Sequence, residues 1–206
     1  MIQPNNRFEN VSVVYEIFIV ADSITDLRDK ITAIEGWLLS APNEYHKLTD
    51  TYNPGMLRRA AFYGPNDWGV TLRRAGTATI TFTCYPFRFD AETYTEADVV
   101  VDGDVLENPY AFDAAPIITV YGSEGAETGT FTITSANSTK TWTVNFGTGV
   151  DEVVIDSENM TIAAGTTNYS DHVIGDGFPK FAPGDNTITL TGDIVALSVI
   201  ARWRTL

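Results

Sequence analysis

The residues able to do chemistry are few and scattered. Two histidines, His46 and His172, lie far apart, with no spacing that a metal site would use. Both read as surface loop residues. The acidic loops Asp102-Gly103-Asp104, Asp156-Ser157-Glu158-Asn159 and Asp176-Gly177 offer oxygen ligands of the kind calcium takes. None reproduces a twelve-residue calcium loop, and they read as solvated turns. There is no Gly-x-Ser-x-Gly elbow for a nucleophilic serine. Gly122-Ser123-Glu124-Gly125 lacks the Lys and the following Ser or Thr of a phosphate loop. Cys84 is the single cysteine, so no internal disulfide forms; it sits in an alternating strand and reads as a small buried apolar residue. The chain is acidic, but no pair of carboxylates stands out for glycoside chemistry, where their separation in space decides. Trp142, Tyr169 and Trp203 are the rings that could stack on sugars if exposed. Trp142 alternates with threonines, which points it into a core. No catalytic group, metal or cofactor is expected.

What must position these residues is one helix and many strands. Asp22 to Leu39 carries Ile24, Leu27, Ile31, Ile34 and Leu38 at helical spacing, which makes one apolar face about 27 Å long. Ser23 and Asp26 resemble a capping box, with Asp in place of Glu. Ser40-Ala41-Pro42-Asn43 ends the helix, since Pro42 biases Ala41 away from helical angles. Before it, Val11 to Val20 alternates β-branched and aromatic residues and reads as a strand, covered on both faces near Val20. After it come strands at Leu57 to Tyr63 and Trp68 to Arg74, with a turn at Gly64-Pro65-Asn66-Asp67. Gly76 to Tyr85 alternates most cleanly: Ala78, Ile80, Phe82 and Cys84 on one face, Thr77, Thr79, Thr81 and Thr83 on the other. Pro86 reads as its edge or end. Beyond residue 96 no useful helical period appears. Short strands recur between glycine turns, with Phe131, Ile133, Trp142, Val144, Phe146, Ile188 and Leu190 as core anchors. The fold class is therefore α+β over residues 1–92, one long helix on an antiparallel sheet, followed over 97–206 by an all-β sandwich of jelly-roll or galectin-like type.

The chain has 206 residues, 44% of them hydrophobic, which is enough for a real core. Against 27 Asp and Glu stand 13 Lys and Arg, a formal charge of −14. Such a surface repels phosphate backbones and anionic membrane, so neither nucleic acid nor membrane is an expected partner. No apolar run is long enough to span a bilayer, and Met1-Ile2-Gln3-Pro4 opens no secretory signal. Synthesis in a reducing cytoplasm is the expectation.

Two stretches look familiar. One runs from the helix through Trp37-Leu38, Leu48-Thr49-Asp50-Thr51-Tyr52 with Pro54, and Arg59-Ala60-Ala61 into Gly76 to Phe87. It resembles the N-terminal domain of the distal tail proteins of long-tailed, non-contractile bacteriophages and their prophages. The other includes Ala115-Pro116-Ile117, Ile155-Asp156-Ser157-Glu158 and Phe178-Pro179-Lys180-Phe181-Ala182-Pro183-Gly184-Asp185-Asn186-Thr187-Ile188, and ends in Arg202-Trp203-Arg204. It is similar to the C-terminal sandwich of the same family, with Phe-Pro-x-Phe-x-Pro-Gly-x-Asn-x-Ile its most specific piece. The resemblance implies a non-catalytic hub at the virion tail tip, a ring that is typically a hexamer. It joins the tail tube protein to tip, baseplate or tape-measure-associated proteins, with the N-terminal domains building the ring. It also implies that the family's first strands, which precede the part matching Arg7 to Val11, are missing from this chain. Asn108-Pro109-Tyr110 stands where the family often has Asn and Gly. The competing expectation is a carbohydrate-binding module contacting a host surface glycan through the three rings.

Overall fold

The computed structural model describes residues 8–41, 44–64, 68–71 and 74–206. Its contacts divide the chain into two units, one of Met1–Arg88 with Leu206 and one of Phe89–Thr205. The expected turn at Gly64-Pro65-Asn66-Asp67 and the helix stop at Pro42-Asn43 lie largely outside the described residues.

The first unit contains β1 (Val11–Val20), α1 (Ile24–Leu38), β2 (His46–Leu48), β3 (Met56–Ala61), β4 (Gly69–Thr71) and β5 (Ala75–Asp90), the last running into the second unit. The strand order is β1-β5-β3-β2, with β4 also pairing β5. Helix α1 begins where Ser23 Oγ accepts the Asp26 amide at 3.1 Å. The Asp26 carboxylate reaches back to the Asp22 amide, one residue before the cap, and also takes Lys30 Nζ at 2.9 Å. At the other end Ser40 Oγ donates to the Trp37 carbonyl. Leu27 and Leu38 are buried along the expected stripe. Leu38 and Ile34 meet Ile80, Phe82, Cys84, Val13 and Tyr15, so the helix covers one face of the sheet.

β1 and β5 are antiparallel over their whole shared length, from Val11 opposite Cys84 to Val20 opposite Ala75. β5 alternates as the sequence indicates, the apolar set buried and Thr77, Thr79 and Thr81 exposed. Two expectations fail here. Pro86 does not end the strand, which continues to Asp90. It lies past Cys84, the last residue paired with β1, so its missing N–H takes no bond from that side. The outer face of β1 is not covered either: Val14, Phe18 and Val20 are exposed. One helix can cover only one face of a sheet.

The second unit contains β6 (Asp98–Val100), β7 (Val105–Asn108), β8 (Ile117–Gly122), β9 (Thr128–Ser135), β10 (Ser138–Asn145), β11 (Glu152–Asp156), β12 (Thr161–Ala164), β13 (Thr167–Asn168), β14 (Val173–Gly175), β15 (Gly184–Gly192) and β16 (Ile194–Ile200). They form two antiparallel sheets, β14-β10-β9-β15-β7 and β13-β12-β11-β8-β16-β6. The sheets share one core, in which Phe131, Trp142, Val144 and Ile188 of the first meet Ile118, Val120, Ile155 and Leu197 of the second. All seven core anchors expected from the sequence are buried.

Candidate functional site

The three rings held out for sugar stacking are all in the sandwich core. Trp142 is 2% exposed, Tyr169 7% and Trp203 8%. Trp142 stacks on Phe131 with centroids 5.2 Å apart, and its Nε1 donates to the Gly177 carbonyl at 2.6 Å. Gly175 lies so close that a Cβ there would collide with the indole. Tyr169 stacks on His172 at 4.0 Å and accepts the Gly147 amide at its hydroxyl. Trp203 meets Phe181 edge-on. Stacking needs an open ring face, and burial has closed these. The reading of Trp142 as a core residue is the one that holds.

The remaining candidates serve structure. His172 Nδ1 lies 3.2 Å from the Asn145 carbonyl, and His46 Nε2 lies 3.4 Å from that of Ala41. The two histidines belong to different units. Asp102 accepts the Leu190 amide and Asp104 the Val101 amide. Asp156 accepts the amides of Glu158 and Asn159. Asp104 and Asp156 cap their own turns, whereas Asp102 ties its loop to β15. Among the described residues no three or more His, Cys, Asp or Glu gather as a metal site would require. Cys84 is fully buried, and burial pushes its thiol up, away from the thiolate a nucleophile needs.

Two motif pieces quoted above do meet in space. Arg202 Nη1 pairs with Asp156 at 3.2 Å and with Glu158 at 3.3 Å, and its guanidinium lies over the Tyr94 ring. Asn186, from the Phe-Pro-x-Phe-x-Pro-Gly-x-Asn-x-Ile stretch, is fully buried. Its Oδ1 accepts the Ala182 amide, and its Nδ2 donates to the carbonyls of Leu106, Ala182 and Gly184. The motif is thus a turn device that ties the start of β15 to β7, with Gly184 supplying a φ of 81°.

The surface that stands out is on the first unit. Val14, Phe18 and Val20 point outward from β1 at 55%, 67% and 64% exposure. Val14 and Phe18 sit opposite Thr81 and Thr77 of β5, so the apolar strip borders the threonine row. β1 is also the terminal strand of the sheet order, leaving its far edge without a strand partner among the described residues. At the start of β1 a cavity of about 350 Å³ is lined by Phe8, Val11, Val13, Arg58, Pro86 and Leu206. Arg58 Nη1 is buried and has no hydrogen-bond partner. Burial, then the charge of Arg88, lowers its pKa. Behind β1, the Tyr15 hydroxyl donates to Asp50 at 2.6 Å, and Asp50 also accepts the amides of Tyr52 and Asn53. Burial, then the Asp50 bond, pushes Tyr15 up to about 12. The same bond holds Asp50 below its usual range. Arg88 Nη1 reaches Asn53 at 3.2 Å, so a polar knot stiffens the inner side of the strand.

Charge divides the same way. The first unit carries nine Lys and Arg against nine Asp and Glu; the second carries four against eighteen, together the chain's 13 and 27. The entire −14 belongs to the second unit.

A helix-backed sheet followed by a two-sheet sandwich is an arrangement found among solved structures. The fold is that of SPP1 Dit. The superposition has a TM-score of 0.71 at 12% identity and covers 97% of this chain and 81% of SPP1 Dit. SPP1 Dit is a paradigm of the hub adsorption apparatus in phages that infect Gram-positive bacteria. No protein-family model and no curated protein matches the sequence. No helix among the described residues is long and apolar enough to cross a membrane.

Proposed function

We propose that this chain is a non-catalytic structural component of a phage tail, a self-associating hub at the tail tip. It joins the tail tube protein to tip and tape-measure-associated proteins, and its copies form a ring, a hexamer by the family resemblance. The observation that carries this reading is the outward face of β1, where exposed Val14, Phe18 and Val20 surround the single charge of Glu16 on a strand whose far edge has no strand partner among the described residues. Such edges are normally blunted by charge or covered. The fold shared with SPP1 Dit supports the hub assignment. Charge supports it too. A unit with balanced charges approaches its own copies without net repulsion, whereas sandwiches carrying −14 repel one another. Copies should therefore meet through their first units and hold their sandwiches apart.

Sedimentation of the purified chain tests this. A ring-sized species is expected, and Phe18→Asp should reduce it to monomer while leaving the far-UV spectrum unchanged, because Phe18 contributes little burial. A chain that stays monomeric at high concentration, or a Phe18→Asp variant that assembles as well as the parent, removes the reading. A carbohydrate-binding module acting through Trp142, Tyr169 and Trp203 is not supported, since all three rings are buried.

A further inference from the structure

We infer that the open end of the sandwich beside the β9–β10 turn binds the terminal residue of an acidic saccharide. Register makes the argument. On the inward face of this hairpin the paired residues run Phe131 with Trp142, then Ile133 with Lys140, then Ser135 with Ser138. The first step of that face is buried, and at the second Ile133 is still buried while Lys140 is exposed, so the second step is the rim of the core. Lysine at the second step and serines at the third turn the mouth of the sandwich polar and cationic. Lys180 joins them from the loop before β15, and Asp113 from the segment before β8. An isolated bridge between Ala114 and Phe181 locks those two segments together, with amide–carbonyl distances of 2.9 and 3.2 Å. Asp113, Ser135, Ser138, Lys140, Trp142 and Lys180 all line one cavity of about 110 Å³.

The distribution of positive charge singles this place out. Only four cationic residues occur in the second unit. Arg202 is held by Asp156 and Glu158, and Arg204 Nε donates to the Asp113 carbonyl. Lys140 and Lys180 are the other two, and both stand at this cavity. Neither forms an ion pair with Asp113 across it. Three charged side chains that share a cavity without pairing are poised for a ligand carrying complementary groups. The ammonium groups suit a carboxylate or phosphate. The Asp113 carboxylate and the serine hydroxyls suit sugar hydroxyls. Asp113 would repel a bare anion, so the site asks for an anion that also brings donors. The volume is below the roughly 300 Å³ of a drug-sized pocket, so one end residue enters rather than a chain segment.

All the residues of this site belong to the second unit, and the inference does not rest on the assembly reading. Isothermal titration calorimetry on the full chain, with glucuronate, glucose 1-phosphate, glucose and inorganic phosphate as separate probes, tests it. Binding of glucuronate or glucose 1-phosphate is expected, at least about tenfold tighter than glucose or phosphate, and whichever binds identifies the acidic group. The pair Lys140→Gln and Lys180→Gln should weaken that binding at least about tenfold. Both side chains are exposed, so the variant folds, and its unchanged melting curve shows it. Asp113→Asn should raise phosphate binding relative to the sugar acid. The inference is overturned if glucose or phosphate matches the acidic sugars, if none of the four binds, or if the lysine variant binds as the parent does.

Discussion

The two units solve the same problem with different means. In the second, two sheets close on each other and bury a cluster of twenty residues that includes Trp142, Phe131 and Phe181. In the first, a single helix covers a single sheet face, and the corresponding cluster among the described residues holds six: Leu38, Ala60, Phe62, Ile80, Phe82 and Cys84. A small core of that kind supplies little stability by itself. The outer face of β1 and β5 is then left open, and it is the face through which we propose that copies associate. Charge follows the same division, balanced in the first unit and strongly negative in the second. The difference teaches that a sheet with one helix leaves one face uncovered, whereas a closed sandwich buries the inner faces of both its sheets.

Four experiments can break or sharpen that contrast. The largest effect is expected in the sandwich. Arg202→Ala leaves Asp156 and Glu158 facing each other without their cation, mostly buried, and should cost the second unit about 3 kcal/mol or more. Chemical denaturation followed by Trp fluorescence would show the loss; a first-unit transition that moved as much would deny the units their independence. Asn186→Ala removes a fully buried amide and leaves its carbonyl and amide partners unpaired, at a cost of about 2 kcal/mol. The same melt should report it, again in the second unit alone.

The third experiment addresses the knot behind β1. Tyr15 has a folded-state pKa of about 12, above its unfolded 10, so its contribution is fully present below pH 10 and is lost as pH rises toward about 12. Alkaline pH should therefore weaken the first unit, and Tyr15→Phe should remove that alkaline step. An identical alkaline profile in the variant would show that the Tyr15–Asp50 bond carries no such linkage. The smallest effect concerns salt. Raising ionic strength from about 0.1 M to about 1 M shortens the Debye length from about 10 Å to about 3 Å. Repulsion between sandwiches fades, so sedimentation should show assembly strengthening. Assembly that weakens with salt would mean that ion pairs rather than the apolar strip hold the copies.

Much of this was legible in the chain itself. Helix α1 was readable because Ile24, Leu27, Ile31, Ile34 and Leu38 keep a period that only a helix satisfies, and its Ser23 cap is a local device. The buried and exposed faces of β5 were readable for the same reason, with a period of two. Less legible were β7, β13 and β14, which are two to four residues long and exist because a neighbouring strand offers them hydrogen bonds. The charge division could be counted from the sequence, but it became an argument only with the boundary between Arg88 and Phe89. Lys140 and Lys180 are forty residues apart and gave no local sign of sharing a cavity.

Local order, then, belonged to the sequence alone: periods, caps and turns act over a few residues, so neighbours in the chain suffice to specify them. Exposure belonged to the tertiary structure. Phe18 looks like a core residue and stands in water; Tyr169 and Trp203 look available and are buried. Whether an apolar face is covered depends on what lies opposite it, and the chain settles that only when distant segments meet.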